Sequence, residues 1–288
     1  MPEKNDDTPA SNLVKLPNGT DLAYLEAGVG AQTLLFIHGL GTNKSAWQKN
    51  IAYLKNYYRC IAIDLPGYGA SSQKDFSFSM DFFAQSIRDF ALALDLQNLV
   101  LVGHSMGGQI AVTFALNFPG FLKKLILLAP AGFEKFSEAE KMWFGGVYQP
   151  LLLKAASEEQ IRQNFENNFF RFPNDAERLI AERMQLRKEA AAYDYYCRMI
   201  PKNVSAMLEA PVFERLHLLR LPVLIFFGLN DALIPNPFLH PNQTATEIAR
   251  AGHLKIFGSQ LTLLPDCGHF VNWEKADEVN RGIRYFLK

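Results

Sequence analysis

The chain has 288 residues, 49% of them hydrophobic and 20% charged, with 29 basic side chains against 29 acidic ones. This composition provides for one large core, or a core with a sizeable insertion, and it lacks the basic surplus of a nucleic-acid binder and the acidic surplus that a basic partner would need. Cys60, Cys197 and Cys267 are scattered without metal-type spacing, the N-terminus is polar, and no apolar run approaches the ~18 residues of a membrane span; a cytoplasmic protein in a reducing compartment is expected.

In chain order, residues 1–12 are polar and Pro-containing and are expected to be disordered. Leu13–Leu16, the turn Pro17-Asn18-Gly19 and Asp21–Ala27 predict a β-hairpin. Short apolar runs follow at Thr33–Ile37, Cys60–Ile63, Leu99–Val102, Leu125–Leu128, Val223–Phe227 and Leu261–Leu264, separated by helical patterns such as Asp81–Leu94. Continuous apolar strands alternating with helices predict an α/β fold, a mostly parallel sheet with helices on both faces. The alternation stops over 133–219, a helical stretch rich in aromatic residues that is too long for a loop. It predicts an inserted helical cap between two core segments, 13–132 and 220–288. Most of its aromatics, which include Phe136, Trp143, Phe144, Tyr148, Phe165, Phe169, Phe170, Phe172, Tyr193, Tyr195 and Tyr196, are expected only to pack the cap down, and a few to line a cavity.

The chemistry-bearing stretch is Gly103-His104-Ser105-Met106-Gly107, which lies between an apolar strand and a helical pattern. A serine at such a turn is forced to the tip, and glycines allow the close backbone approach the turn needs. Two other strand ends carry matching groups. Asp231 follows Val223–Phe227, and His269 follows Leu261–Leu264. Ser105 needs a base, a histidine such as His269 can serve as one, and Asp231 would hold the imidazole in the required tautomer. His38-Gly39-Leu40-Gly41 ends another strand, so the amides of Leu40 and Met106 are the candidate oxyanion hole. Candidate pocket residues are His38, Gly39, His104, Trp143 and Trp273. His38 and His104 are expected to shape the loops, and His217, His240 and His253 to be surface residues. Glu134 is the rival acid, Asp266 is too near His269 along a turn to serve, and Asp64 is expected to be structural. There is neither a Gly-rich phosphate loop nor a metal-ligand cluster, and no cofactor is expected.

These stretches, with Asp64-Leu65-Pro66-Gly67-Tyr68-Gly69-Ala70-Ser71-Ser72 and Cys267-Gly268-His269, resemble the alpha/beta hydrolase family from about Leu13 to Lys288. The resemblance implies an eight-stranded sheet, a cap after the sixth strand, and hydrolysis of a small-molecule substrate. A serine at position 105, where epoxide and haloalkane hydrolases have aspartate, argues against those reactions. The leading expectation is hydrolysis of carboxylic esters, thioesters included, of small to medium apolar or aromatic substrates. A second is carbon–carbon hydrolysis of vinylogous diketones, because Cys267–Asn280 is similar to the segment around the histidine of those enzymes. His104, where they usually have Asn, and an oxyanion loop without Pro-Gly-Ala argue against it. A third is a ligand receptor that kept the fold and lost turnover. Oligomeric state is open.

Overall fold

A computed structural model describes residues 11–288. The chain forms β1 (Asn12–Lys15), β2 (Asp21–Ala27), β3 (Thr33–Ile37), α1 (Gln48–Leu54), β4 (Arg59–Ile63), α2 (Met80–Ala93), β5 (Leu99–His104), α3 (Met106–Asn117) and β6 (Lys124–Leu128). An all-helical excursion follows: α4 (Glu138–Val147), α5 (Pro150–Ala155), α6 (Glu158–Glu166), α7 (Glu177–Lys188) and α8 (Ala190–Glu209). The chain then returns through β7 (Val223–Gly228), α9 (Ala245–Lys255), β8 (Gln260–Leu264), α10 (Val271–Glu274) and α11 (Ala276–Leu287).

The eight strands lie in the order β1-β2-β4-β3-β5-β6-β7-β8. β1 and β2 form the expected hairpin, β2 joins β4 antiparallel, and all other pairs are parallel. The apolar runs read as strands because successive side chains alternate between two covered faces. Leu35, Ile37, Leu101 and Ile225 join one core, which α2 and α3 close with Phe83, Ile87 and Ile110. Their neighbours Leu34, Phe36, Val100 and Leu224 join the other, closed by Ile51 of α1 and by Val279 and Ile283 of α11.

Three expectations need adjustment. Disorder over 1–12 concerns mainly residues 1–10, which lie outside the described residues, whereas Asn12 already pairs with Tyr24. Phe133 is buried against Phe227, ring centroids 6.2 Å apart, so it packs with the core rather than with the inserted helices. Phe213 and Leu216 at the other end of the stretch are buried in that same core.

The order of the strands decides where a site can form. The chain leaves β3 toward β4 on one side and returns as β5 on the other, so the loops after β3 and β5 diverge above the strand ends and open a crevice.

Candidate active site

Ser105 sits at the junction of β5 and α3 with φ 54° and ψ −120°, a conformation that costs a non-glycine residue about 1–3 kcal/mol. The turn can be this sharp because the residues two positions to either side, Gly103 and Gly107, have no side chains. A Cβ on Gly103 would come within 2.4 Å of the Gly107 carbonyl oxygen, and one on Gly107 within 2.3 Å of the Ile37 carbonyl oxygen. Gly107 therefore lets α3 press against the end of β3. Met106 opens α3, so its N–H lies in the first helical turn, where no intrahelical carbonyl is available. Across the crevice, Thr42 N–H bonds the Gly39 carbonyl and closes a turn with Leu40 at its corner.

β7 ends at Gly228, and the loop beyond it carries Asp231. One carboxylate oxygen, Oδ2, meets His269 Nδ1 at 2.7 Å, with both side chains nearly sealed from solvent. The other, Oδ1, accepts from the N–H groups of Leu233 and Ile234, which fixes the carboxylate's orientation. Ser105, His269, Asp231, Leu40 and Gly39 all line one cavity of about 1640 Å³ between the strand ends and the inserted helices. The rival acid Glu134 is engaged elsewhere, accepting from Asn236 N–H at 2.8 Å and facing His240 Nδ1 at 2.5 Å, and burial raises its carboxyl above the usual range. Asp266 is exposed.

Of the candidate pocket residues, Gly39, His104 and Trp143 line the cavity, whereas His38 and Trp273 do not. His38 is fully buried beneath the loop, its Nε2 accepting from Leu65 N–H at 3.1 Å and its Nδ1 donating to the Gly39 carbonyl at 2.8 Å. Burial pulls its pKa down to about 4, so it is neutral. Trp273 is enclosed with Ala46, Phe169 and Phe270, and its Nε1 donates to Asp175 at 2.8 Å. The four-residue helix α10 carries it behind the His269 loop, a direction that residue type alone does not encode. Asp64 is structural as expected: fully buried, it accepts from Lys44 Nζ at 2.6 Å and from the Lys44 and Ala70 amides.

Two features escaped the sequence reading. Of the aromatics named above in the inserted stretch, only Phe169, Phe170, Phe172 and Tyr195 stay off the cavity wall, so the majority line it rather than merely pack. His240, expected on the surface, is mostly buried between Glu134 and Glu140, Nε2 lying 3.1 Å from Glu140, and stacks on Phe136 with centroids 5.5 Å apart. The Glu134 reading noted an acid after the sixth strand, but its partner is more than a hundred residues away and left no local signal. Arg183 of α7 also reaches the cavity, bonding the Gly41 carbonyl and the Tyr196 hydroxyl.

Among the described residues no cluster suited to a metal ion is present, and no helix is long and apolar enough to cross a membrane.

The architecture and the strand-end site define a hydrolase of the alpha/beta fold. The family model for the alpha/beta hydrolase fold matches residues 32–276, and the chain belongs to that family. It is 28% identical over 282 residues to a 2-hydroxy-6-oxononadienedioate/2-hydroxy-6-oxononatrienedioate hydrolase of Paraburkholderia phymatum, covering 94% of this chain and 93% of that protein. It is 29% identical to a putative non-heme chloroperoxidase of Synechocystis, covering 93% of this chain and 95% of that protein. The esterase EaEST from Exiguobacterium antarcticum shares the fold at a TM-score of 0.78, with 21% identity, over 97% of this chain and 100% of that one.

Proposed function

We propose that the protein is a serine hydrolase of carboxylic esters, thioesters included, with apolar or aromatic substituents, acting through an acyl-enzyme. The observation that carries this reading is the Asp231–His269 pair set in the wall of the cavity that also receives Ser105. In the proposed cycle Ser105 Oγ attacks the ester carbonyl carbon while His269 takes its proton. Asp231 holds the imidazole by Nδ1 and balances the imidazolium that forms. The Leu40 and Met106 amides receive the negative charge on the carbonyl oxygen. His269 then protonates the leaving alcohol or thiol, and a water, deprotonated by the same histidine, releases the acid. The aromatic wall supports apolar substrates, and its cavity exceeds the ~300–1,000 Å³ of common ligand sites, leaving room for substituents beyond a small ester.

Replacing Ser105 with Ala is expected to abolish turnover of p-nitrophenyl esters while far-UV circular dichroism is unchanged; full retained activity would overturn the assignment. Labelling of the wild type by a fluorophosphonate probe separates an enzyme from a receptor that lost turnover.

A second reading, hydrolysis of a carbon–carbon bond in a vinylogous diketone, is favoured by Arg183. A guanidinium in the cavity beside the oxyanion loop would pair with a substrate carboxylate, and the Paraburkholderia relative is named for a dienedioate. Bleaching of a yellow dienol substrate by the wild type, together with failure on neutral esters, would select this reading over the first.

A further inference from the structure

His104 stands beside Ser105 but does not belong to the proposed catalytic set. Its ring is 2% exposed, lies 4.9 Å from the His269 ring and meets Phe270 edge-on at the same separation. Its Nε2 lies 3.0 Å from the main-chain carbonyl oxygen of His269. A carbonyl only accepts, so Nε2 carries a proton, and in the neutral ring Nδ1 is then a lone pair. That Nδ1 is buried and has no hydrogen-bond partner among the described residues. It is packed over the Gly39 backbone, where a Cβ on Gly39 would come within 3.0 Å of it and within 3.2 Å of the Ser105 Cβ. An unpaired buried acceptor costs about 1–3 kcal/mol. A residue chosen for packing alone would be apolar here.

We propose that His104 is a positioning residue for His269: it holds the base by the base's own main-chain carbonyl and by ring packing, fixing where the base stands relative to Ser105. This rests on the function proposed above. The ring that grips the base must not compete with it for a proton. Burial holds the His104 pKa well below the ordinary histidine value, and the neighbouring His269 and His38 push it the same way. The other charged group at this point, Asp231, is engaged with His269 Nδ1 at 2.7 Å. His269 sits on the loop between β8 and α10, not inside an element, so its placement relies on such ties. Phe270 is tied in parallel, its N–H bonding the Asn168 carbonyl. The unpaired Nδ1 is then the cost of using a ring that donates at one end and packs against His269 and Phe270.

The test pairs two side chains of matched length. Gln can present its amide N–H where Nε2–H now lies, whereas Met fills similar space and donates nothing. His104→Met is expected to lower kcat on the order of 10–100-fold, as for a slightly misplaced catalytic group, with KM held within about twofold. His104→Gln is expected to recover most of that loss. Equal kcat for Gln and Met, or a loss confined to KM, would overturn the positioning role. A measurement on the wild type guards against a variant that fails to fold: nitrogen NMR is expected to show one histidine protonated at Nε2, with a lone-pair Nδ1 that does not titrate between about pH 5 and about pH 8. Absence of any non-titrating histidine of that Nε2–H form, His38 being protonated at Nδ1 instead, would also overturn it. Fluorophosphonate labelling of the wild type is run alongside. Absent labelling counts against the serine-hydrolase reading itself, whereas labelling with indifferent His104 variants counts only against the present inference.

Discussion

At the scale of single residues, the strand-end turns work by close approach that only hydrogen-sized side chains permit. Gly107 places α3 against the Ile37 and His38 carbonyls of the neighbouring strand end, and an added methyl would meet backbone that cannot swing aside. Gly107→Ala is therefore expected to destabilise the fold by about 1–3 kcal/mol, read as a lower urea midpoint at unchanged slope. His38 sets a pH dependence. Its pKa falls from 6.5 to about 4 because burial disfavours the charged ring. Between those values the unfolded chain binds the extra proton and the folded one does not, so stability is full above the upper value and is lost as pH falls through the window, by about 3 kcal/mol in total. Urea midpoints at about pH 7.5 and about pH 4.5 check this. His38→Gln, whose side-chain oxygen can still accept from Leu65 N–H, is expected to show a smaller drop between the two. The residue types at Ser105, Asp231 and His269 were legible because each follows an apolar run at a strand end. That His38 faces inward and Trp273 backward was not, since both depend on how a loop turns after its strand.

At the scale of elements, strands and inserted helices are held by different means. Each central strand sends alternate side chains into two cores, so its position is over-determined by burial. By contrast α4 has no buried residue, and a capping box at Ser137–Glu140 secures its start. A polar tie to the rest of the chain runs from Glu140 through His240 to Glu134 in the loop after β6. His240→Ala removes the central member. Amide exchange over Glu138–Val147 is expected to quicken on the order of tenfold, with the exchange of β3 and β5 unchanged; unaltered exchange in α4 would show that aromatic contacts alone hold it. The existence of a helical insertion could be read from its length and the absence of strand-like runs. Its attachment could not, because Glu134, Glu140 and His240 are polar residues far apart in sequence that pair only once the loops are placed.

At the scale of the molecule, all three cysteines lie in closed surroundings. Cys60 lies on β4, Cys267 in the same loop as His269 and Cys197 on α8, and all are free and buried. Burial pushes the Cys60 thiol up to about 12 and raises the other two. None is expected to react with Ellman's reagent in the native protein, and all three to react after unfolding in guanidinium. Fast reaction of one thiol under native conditions would mark a local opening that the packing does not suggest.

The amino-acid order by itself determined the strands and the main helices, the parallel α/β class and the residue types at the strand ends. Those properties follow from hydrophobic period and from glycine and proline placement, which act over a few residues. The tertiary structure alone decided which acid faces His269, which aromatics turn to the cavity and which histidines are sealed. Each of these depends on the meeting of segments well separated in sequence, 38 residues for Asp231 and His269 and 106 for Glu134 and His240, where the winning contact is set by the sheet order and by the cost of leaving a buried polar group unpaired.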